Sequence, residues 1–109
     1  MAKTSSPQSK NGSFGAYLVL RSSGRWSDVF RLSPPAEVVM GRASSNQIVI
    51  RDQQASRYHA KVFWKDSIWV LSDLESVNGT FLNQQRIDGD QALHEGDTIQ
   101  VGGCEITFS

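Results

Sequence analysis

Short apolar runs broken by turn residues, recurring about every ten residues, fill this chain from Phe14 onward. Within residues 60–65, Ala60, Val62 and Trp64 alternate with Lys61 and Lys65. A period of two is typical of a strand that buries one face. Nowhere do apolar residues recur at helical spacing over several turns. The pattern therefore predicts an all-β sandwich or barrel.

The individual strands can be placed from these runs and from the turn residues between them. We predict strands at residues 16–20, 29–32, 37–40, 48–50, 60–64, 68–71, 80–82, 86–87, 98–101 and 104–108. Residues 65–67, residues 83–85 and the pair Gly102-Gly103 are predicted turns between paired strands. In the last strand, Cys104, Ile106 and Phe108 are expected to share one face.

The length of the chain, 109 residues, suits one domain with a core that needs no metal or disulfide. After Ala2, the first thirteen residues contain no strongly apolar side chain. Such a segment cannot offset the entropy lost on ordering. We therefore expect a flexible tail over residues 1–14 and a folded domain over residues 15–109.

Charge and cysteine content narrow the possible partners. Eleven basic and eleven acidic side chains give a net charge of zero. The chain therefore lacks the surplus of Lys and Arg with which proteins bind the phosphate backbone of nucleic acids. Cys104 is the single cysteine, so an internal disulfide is excluded, and with two distant histidines it makes no metal site. We expect a buried thiol in a reducing compartment. No apolar run is long enough to span a membrane, and residues 1–13 lack the apolar stretch that a signal peptide needs. These features favour a cytoplasmic protein without cofactor, metal, nucleic-acid or membrane partners.

Four fragments follow one another between the predicted strands: Gly41-Arg42, residues 56–59 (Ser-Arg-Tyr-His), residues 73–80 (Asp-Leu-Glu-Ser-Val-Asn-Gly-Thr) and Gly96-Asp97. In this order and spacing they resemble the forkhead-associated (FHA) domain, and the resemblance runs from about Gly15 to the end of the chain. It implies a two-sheet, SMAD/FHA-like β-sandwich of about eleven short, mostly antiparallel strands with recognition loops at one end. The function implied is recognition of phosphothreonine on partner proteins.

Phosphate recognition requires fixed cations and hydrogen-bond donors, because phosphothreonine carries about −1.5 to −2 charges and three acceptor oxygens. The resemblance implies that Arg42 and Ser56 bind the phosphate and that Arg57 assists. A guanidinium offers a fork of donors that matches phosphate oxygens. Gly41 is expected to allow a sharp exit from the sheet. His59 is expected to brace the loop from inside without touching ligand.

The resemblance also implies that residues 76–80 form a second recognition loop, which contacts the bound peptide. Asn78 is expected to pin the peptide backbone through its carboxamide. Ser76 and Val77 are expected beside it, against residues that flank the phosphothreonine. Valine stands where the family commonly has a side chain able to help with phosphate, so one phosphate contact is missing or is replaced by Arg57. Gly79 and Thr80 are expected to form the turn and start the next strand.

Two alternative functions follow from the same residues. The first is a protein-interaction domain with this fold and no dependence on phosphate, which Val77 and the neutral net charge leave open. The second is a hydrolase with Ser56 as nucleophile and His59 as base; no third triad member or oxyanion hole can be named, so we expect no enzyme activity. Domains of this family usually lie within larger signalling proteins, and we expect the same here.

The remaining motif residues are interpreted as scaffold. Gly96-Asp97 is expected to form a turn before the strand at Thr98, with the Asp97 carboxylate accepting local backbone donors. The three tryptophans, Trp26, Trp64 and Trp69, could stack on nucleic-acid bases. Because no basic surplus accompanies them, packing within the sandwich is favoured.

Overall fold

The computed structural model describes residues 15–22 and 25–109, so the predicted tail at residues 1–14 lies outside the described residues. Eleven strands form, and no helix is found in the described ranges. In chain order they are β1 (Ala16–Ser22), β2 (Arg25–Leu32), β3 (Glu37–Gly41), β4 (Ile48–Val49), β5 (Ala60–Lys65), β6 (Ile68–Asp73), β7 (Thr80–Leu82), β8 (Gln85–Arg86), β9 (Gln91–Ala92), β10 (Thr98–Val101) and β11 (Cys104–Phe108).

The strands form two sheets. The six-stranded sheet has the order β2-β1-β11-β10-β7-β8, and the five-stranded sheet has the order β4-β3-β5-β6-β9. The pairings within each sheet are antiparallel, apart from the parallel pair β3–β4. The predicted sandwich of about eleven mostly antiparallel strands is confirmed.

The core lies between the sheets and follows the predicted alternation. On β5, Ala60 and Val62 are fully buried, and on β11 the three residues predicted to share a face are all buried. Cys104 is one of these and carries a free thiol, as predicted. Trp69 belongs to the core and contacts half-buried Trp64, with 5.0 Å between ring centroids. The side chain of Trp26 lies outside the described part of the structure.

Two predicted turns are tighter than the sequence indicated. Lys65 pairs with Ile68, so Asp66 and Ser67 alone connect β5 to β6, with φ values of 52° and 66°. Asn83 and Gln84 connect β7 to β8 in the same way, with φ values of 50° and 72°. Positive φ at both central residues matches the right-handed twist of the paired strands. The four residues therefore accept a backbone conformation that glycine adopts more easily.

One strand was not predicted from the sequence. Strand β9 has two residues and no apolar alternation, and it forms because Ala92 pairs with Val70 at the edge of the five-stranded sheet. A strand this short depends on its neighbour, so its own residues give no signal.

The topology brings three loops together. Strands β3, β5 and β6 are adjacent and antiparallel, so the end of β3, the start of β5 and the end of β6 lie at one edge of their sheet. The loops at residues 42–47, 50–59 and 74–79 leave or enter the sheet there. We call this edge of the sandwich the recognition end.

Candidate functional site

Gly41 is the point where the first two loops come closest. The backbone N–H of Arg42 donates to the Ser56 carbonyl at 2.9 Å, and that of Ala43 donates to the Arg57 carbonyl at 3.0 Å. A Cβ on Gly41 would lie 2.7 Å from the Ser56 oxygen and would overlap the Arg57 carbonyl. Gly41 does not use a positive φ. Glycine is therefore needed for close approach of two backbones, and not for the conformational freedom that the sequence suggested.

The two predicted phosphate-binding arginines are both exposed at the recognition end. Arg42 donates from Nε to the Ala55 carbonyl at 2.8 Å, which fixes the stem of the guanidinium and leaves its two terminal amino groups for other acceptors. Arg57 lies beside Tyr58, and hydrogen bonds from Ser45 and Arg57 lower the pKa of the Tyr58 phenol. Asn46 ties the 42–47 loop to this segment, because its Nδ2 donates to the Arg57 carbonyl at 2.8 Å.

His59 is fully buried and joins the second loop to the third. Its Nδ1 accepts from the Ser56 N–H at 2.9 Å, and its Nε2 donates to the Gly79 carbonyl at 2.8 Å. Since Nδ1 accepts, the ring proton lies on Nε2. Both ring nitrogens are occupied by backbone groups, so the histidine holds the loops in register and does not face the Ser56 hydroxyl.

Ser56 also contacts the third loop through its side chain. Its Oγ accepts from the backbone N–H of Val77 at 2.9 Å. Among the described residues no acceptor receives the hydroxyl proton, so this proton can be donated to a ligand. The side chain of Val77 is 82% exposed, at the tip of the loop.

Asn78 is held by the second loop. Its Nδ2 donates to the Gln54 carbonyl at 2.9 Å and to Gln54 Oε1 at 3.2 Å. The carboxamide donor is thus engaged within the protein, while within the described part of the chain Oδ1 receives no hydrogen bond. Sequence reasoning missed Gln54, because nothing in its type or spacing distinguishes it from a surface glutamine.

The third loop is organised from inside by Asp73. Its Oδ1 accepts from Ser76 Oγ and from Thr80 Oγ1, each at 2.6 Å, and its Oδ2 accepts from the Ser76 N–H at 3.2 Å. Partial burial would raise the pKa of Asp73, but the hydrogen bonds from Ser76 and Thr80 outweigh it and hold the pKa below its ordinary value. Asp73 is therefore ionised at neutral pH, and its carboxylate holds the loop through these hydrogen bonds.

Ser76 differs from its predicted place. It is 9% exposed, and its Oγ donates to Asp73 while accepting from the Gly79 N–H at 2.9 Å. The hydroxyl is therefore used inside the loop and is not presented beside Val77 and Asn78. Gly79 has a φ of 89°, the left-handed region that favours glycine, and Thr80 is fully buried at the start of β7.

The fourth fragment lies at the other end of the sandwich. The Asp97 carboxylate accepts from the His94 N–H at 2.8 Å and from Asn83 Nδ2 at 3.0 Å. These contacts order the turn before β10, as the sequence indicated.

The three loops of the recognition end carry charges of both signs. Arg42, Arg51 and Arg57 are exposed, and Asp52 and Glu75 lie in the same loops. In the described ranges, no group of three or more His, Cys, Asp or Glu side chains is placed to hold a metal ion. No helix in the described part of the chain has the length and apolar character that crossing a bilayer requires.

Comparison with known proteins identifies the family to which this fold and these motifs belong. The FHA domain family model matches residues 38–102. The ABC transporter ATP-binding/permease protein Rv1747 of Mycobacterium tuberculosis is 40% identical over 76 residues, which is 70% of this chain and 9% of that protein. FhaA of the same organism is 30% identical over 95 residues, which is 87% of this chain and 18% of that protein. The chain thus spans less than a fifth of each of these two relatives.

Solved structures of FHA domains superpose on nearly the whole described chain. An FHA domain of an Arabidopsis thaliana hypothetical protein has a TM-score of 0.80 at 30% identity and covers 87% of this chain and 84% of that one. An FHA domain studied for phosphothreonine-dependent interactions has a TM-score of 0.74 at 30% identity, with coverages of 86% and 94%. Mycobacterium tuberculosis EmbR, solved with a low-affinity phosphopeptide, has a TM-score of 0.77 at 33% identity, with coverages of 87% and 24%. This chain belongs to the FHA domain family.

Proposed function

We propose that this domain binds phosphothreonine-containing segments of partner proteins and so mediates phosphorylation-dependent interactions in signalling. One observation carries the proposal. The loops that bear Arg42, Ser56 and Asn78 are tied to one another at the recognition end by direct hydrogen bonds. Their polar groups are therefore held together before any ligand arrives, which lowers the entropy lost on binding.

The phosphate is assigned to Arg42 and Ser56. The terminal amino groups of Arg42 supply forked, charged donors, and the Ser56 hydroxyl proton supplies a third. Arg57 is exposed close by and adds a second cation. Each charge-assisted hydrogen bond contributes about 1.5–3 kcal/mol net. After the entropy cost of ordering a peptide, we expect an affinity near the micromolar range, or about −8 kcal/mol.

The peptide backbone is assigned to Asn78. Because its Nδ2 is held by Gln54, the group available to a ligand is Oδ1, which accepts a backbone N–H. Val77 offers an apolar side chain, since its own N–H is bonded to Ser56. A free carboxamide could both donate and accept, whereas the geometry of Asn78 supports acceptance only. Ser76 takes the role of loop brace in this proposal, in place of peptide contact.

A non-catalytic role is supported by His59. A general base must reach the proton of its nucleophile, and both nitrogens of this ring bond backbone groups instead. The Ser56 hydroxyl therefore has no activating base in the structure described.

We place the domain at residues 15–109, because β1 begins at Ala16 and pairs with β11, which ends at Phe108. Membership of a larger signalling protein is supported by relatives in which the matched segment is a small part. A cytoplasmic location is supported by the buried free thiol of Cys104, which suits a reducing compartment.

The test is a titration of the isotope-labelled protein with phosphothreonine and with threonine, monitored by the backbone amide signals. We expect the amides of Arg42, Ser56 and Asn78 to shift with phosphothreonine alone. The Arg42→Ala variant should lose the response and keep the dispersed spectrum of a folded domain. Arg31→Ala is the matched control, because Arg31 lies on β2 towards the opposite end. Equal responses to the two amino acids would refute the proposal and favour the phosphate-independent alternative.

A further inference from the structure

Arg86 lies against the peptide-binding loop although it belongs to a different part of the sandwich. It is on β8, the outermost strand of the six-stranded sheet, and pairs with Phe81. A Cβ built on Gly79 would lie 2.6 Å from Arg86 Nε and 2.9 Å from its Cζ. The guanidinium therefore covers the backbone of Gly79, one residue beyond Asn78. The missing side chain of Gly79 makes this contact possible.

The guanidinium is exposed and has no ion pair or hydrogen bond with any described residue. A long cationic side chain at the surface usually stays mobile in solvent, because an exposed contact stabilises it by less than the conformational entropy that ordering it would cost. Here its stem is held against Gly79, which reduces that entropy. A cation placed in this way is ready to bind an anion.

A groove of about 430 Å³ opens beside this position on the outer face of the six-stranded sheet. Its lining includes Asn78, Gly79 and Phe81, so Arg86 adjoins two of its residues and Asn78 connects it to the recognition end. The lining side chains carry no formal charge; Gln54, Gln84 and Gln100 are among them. Asp52 borders the far side, where its carboxylate accepts from the N–H groups of Gln54 and Gly103. Glu105 pairs with Gln100 on the same outer face, so its carboxylate flanks the groove as well. The charged side chain in contact with Gly79 itself is Arg86.

We propose that Arg86 is a second anion-binding residue, which recognises a carboxylate or phosphate on a side chain of the bound segment, a few residues from the phosphothreonine. The inference rests on the proposed function, because Asn78 would bring the peptide backbone to the mouth of the groove. An extended peptide advances about 3.3 Å per residue, so neighbouring side chains fall within reach of an arginine there. Arg86 would thereby add selectivity for acidic or doubly phosphorylated partners.

The experiment is a set of phosphothreonine peptides in an alanine background, with one glutamate at each position within about four residues of the phosphothreonine. A parallel set carries phosphoserine in place of glutamate. Affinities are measured by calorimetry for the unmodified protein, Arg86→Gln and Arg31→Gln. At one position we expect the anion to strengthen binding about five- to tenfold, a gain that Arg86→Gln loses and Arg31→Gln keeps. The all-alanine phosphothreonine peptide should bind all three proteins equally.

The two sets distinguish the sources of the anion. A gain with both anions identifies a carboxylate as sufficient, and a gain with phosphoserine alone identifies a second phosphate; either supports the proposal. Arg86→Lys keeps the charge and should keep part of the gain, which separates loss of the cation from a change in folding. The inference is overturned if no position gives a gain, or if the gain survives in Arg86→Gln. Failure of the proposed function looks different, since the all-alanine phosphothreonine peptide and its unphosphorylated counterpart would then bind the unmodified protein alike.

Discussion

Replacement of His59 by alanine should both destabilise the domain and loosen the site. The ring is fully buried, and its loss leaves the Ser56 N–H and the Gly79 carbonyl without partners. Each orphaned buried group costs about 1–3 kcal/mol, so the two together cost about 2–6 kcal/mol before any cavity is counted. A domain of this size has a total stability of about 5–15 kcal/mol. The loss is therefore a large fraction of the whole.

Denaturant unfolding followed by intrinsic tryptophan fluorescence, to which buried Trp69 contributes, measures this loss. In a thermal scan the midpoint should fall by about 10 °C or more, at about 4–8 °C for each kcal/mol. The chain supplies a matched control in its second histidine, since the side chain of His94 is 80% exposed. His94→Ala should change stability by no more than about 0.5 kcal/mol.

Loop register connects stability with binding in the same variant. His59 joins the loop of Ser56 to the loop of Asn78, so under conditions where His59→Ala is folded its phosphothreonine affinity should still fall. If the two histidine variants had the same free energy of unfolding, the brace that we infer from these hydrogen bonds would be wrong.

Three further predictions concern Gly41, Asp73 and Cys104. Gly41→Ala should lower stability by about 1–3 kcal/mol in denaturant unfolding, because its methyl group would overlap the Arg57 carbonyl; equal stability with the exposed control Ser44→Ala would contradict this. The pKa of Asp73 is lowered in the fold, so its stabilisation is complete above the unfolded pKa of about 3.9 and is lost as the pH falls through the folded value. Asp73→Asn should therefore flatten the acid limb of a stability-against-pH curve, and an unchanged limb would argue against the role of this carboxylate. Burial raises the pKa of the Cys104 thiol, so a disulfide reagent at neutral pH should react with the native protein about tenfold or more slowly than with the unfolded one; comparable rates would show that the thiol is accessible.

Much of the fold could be predicted because its signals are local. The alternation along residues 60–65 and 104–108 is imposed by the strand itself, whose side chains point to opposite faces in turn. The ends of most strands were predicted to within one or two residues, although β2 begins four residues earlier than its apolar run indicated. Strand β9 had no such signal, because its two residues pair with β6 without burying an apolar face of their own.

Motif spacing predicted the candidate site residues, and only the tertiary structure decided which of their atoms have partners within the described chain. Arg42, Ser56 and Asn78 could be named from the chain, whereas the engagement of the Asn78 donor by Gln54 and the inward turn of Ser76 could not. The physical reason is that a strand's pattern is written into neighbouring residues, but a hydrogen bond between loops depends on how closely two distant backbones approach. The contact between Arg86 and Gly79 could not be predicted from the sequence either, because it depends on β8 pairing at the edge of the six-stranded sheet.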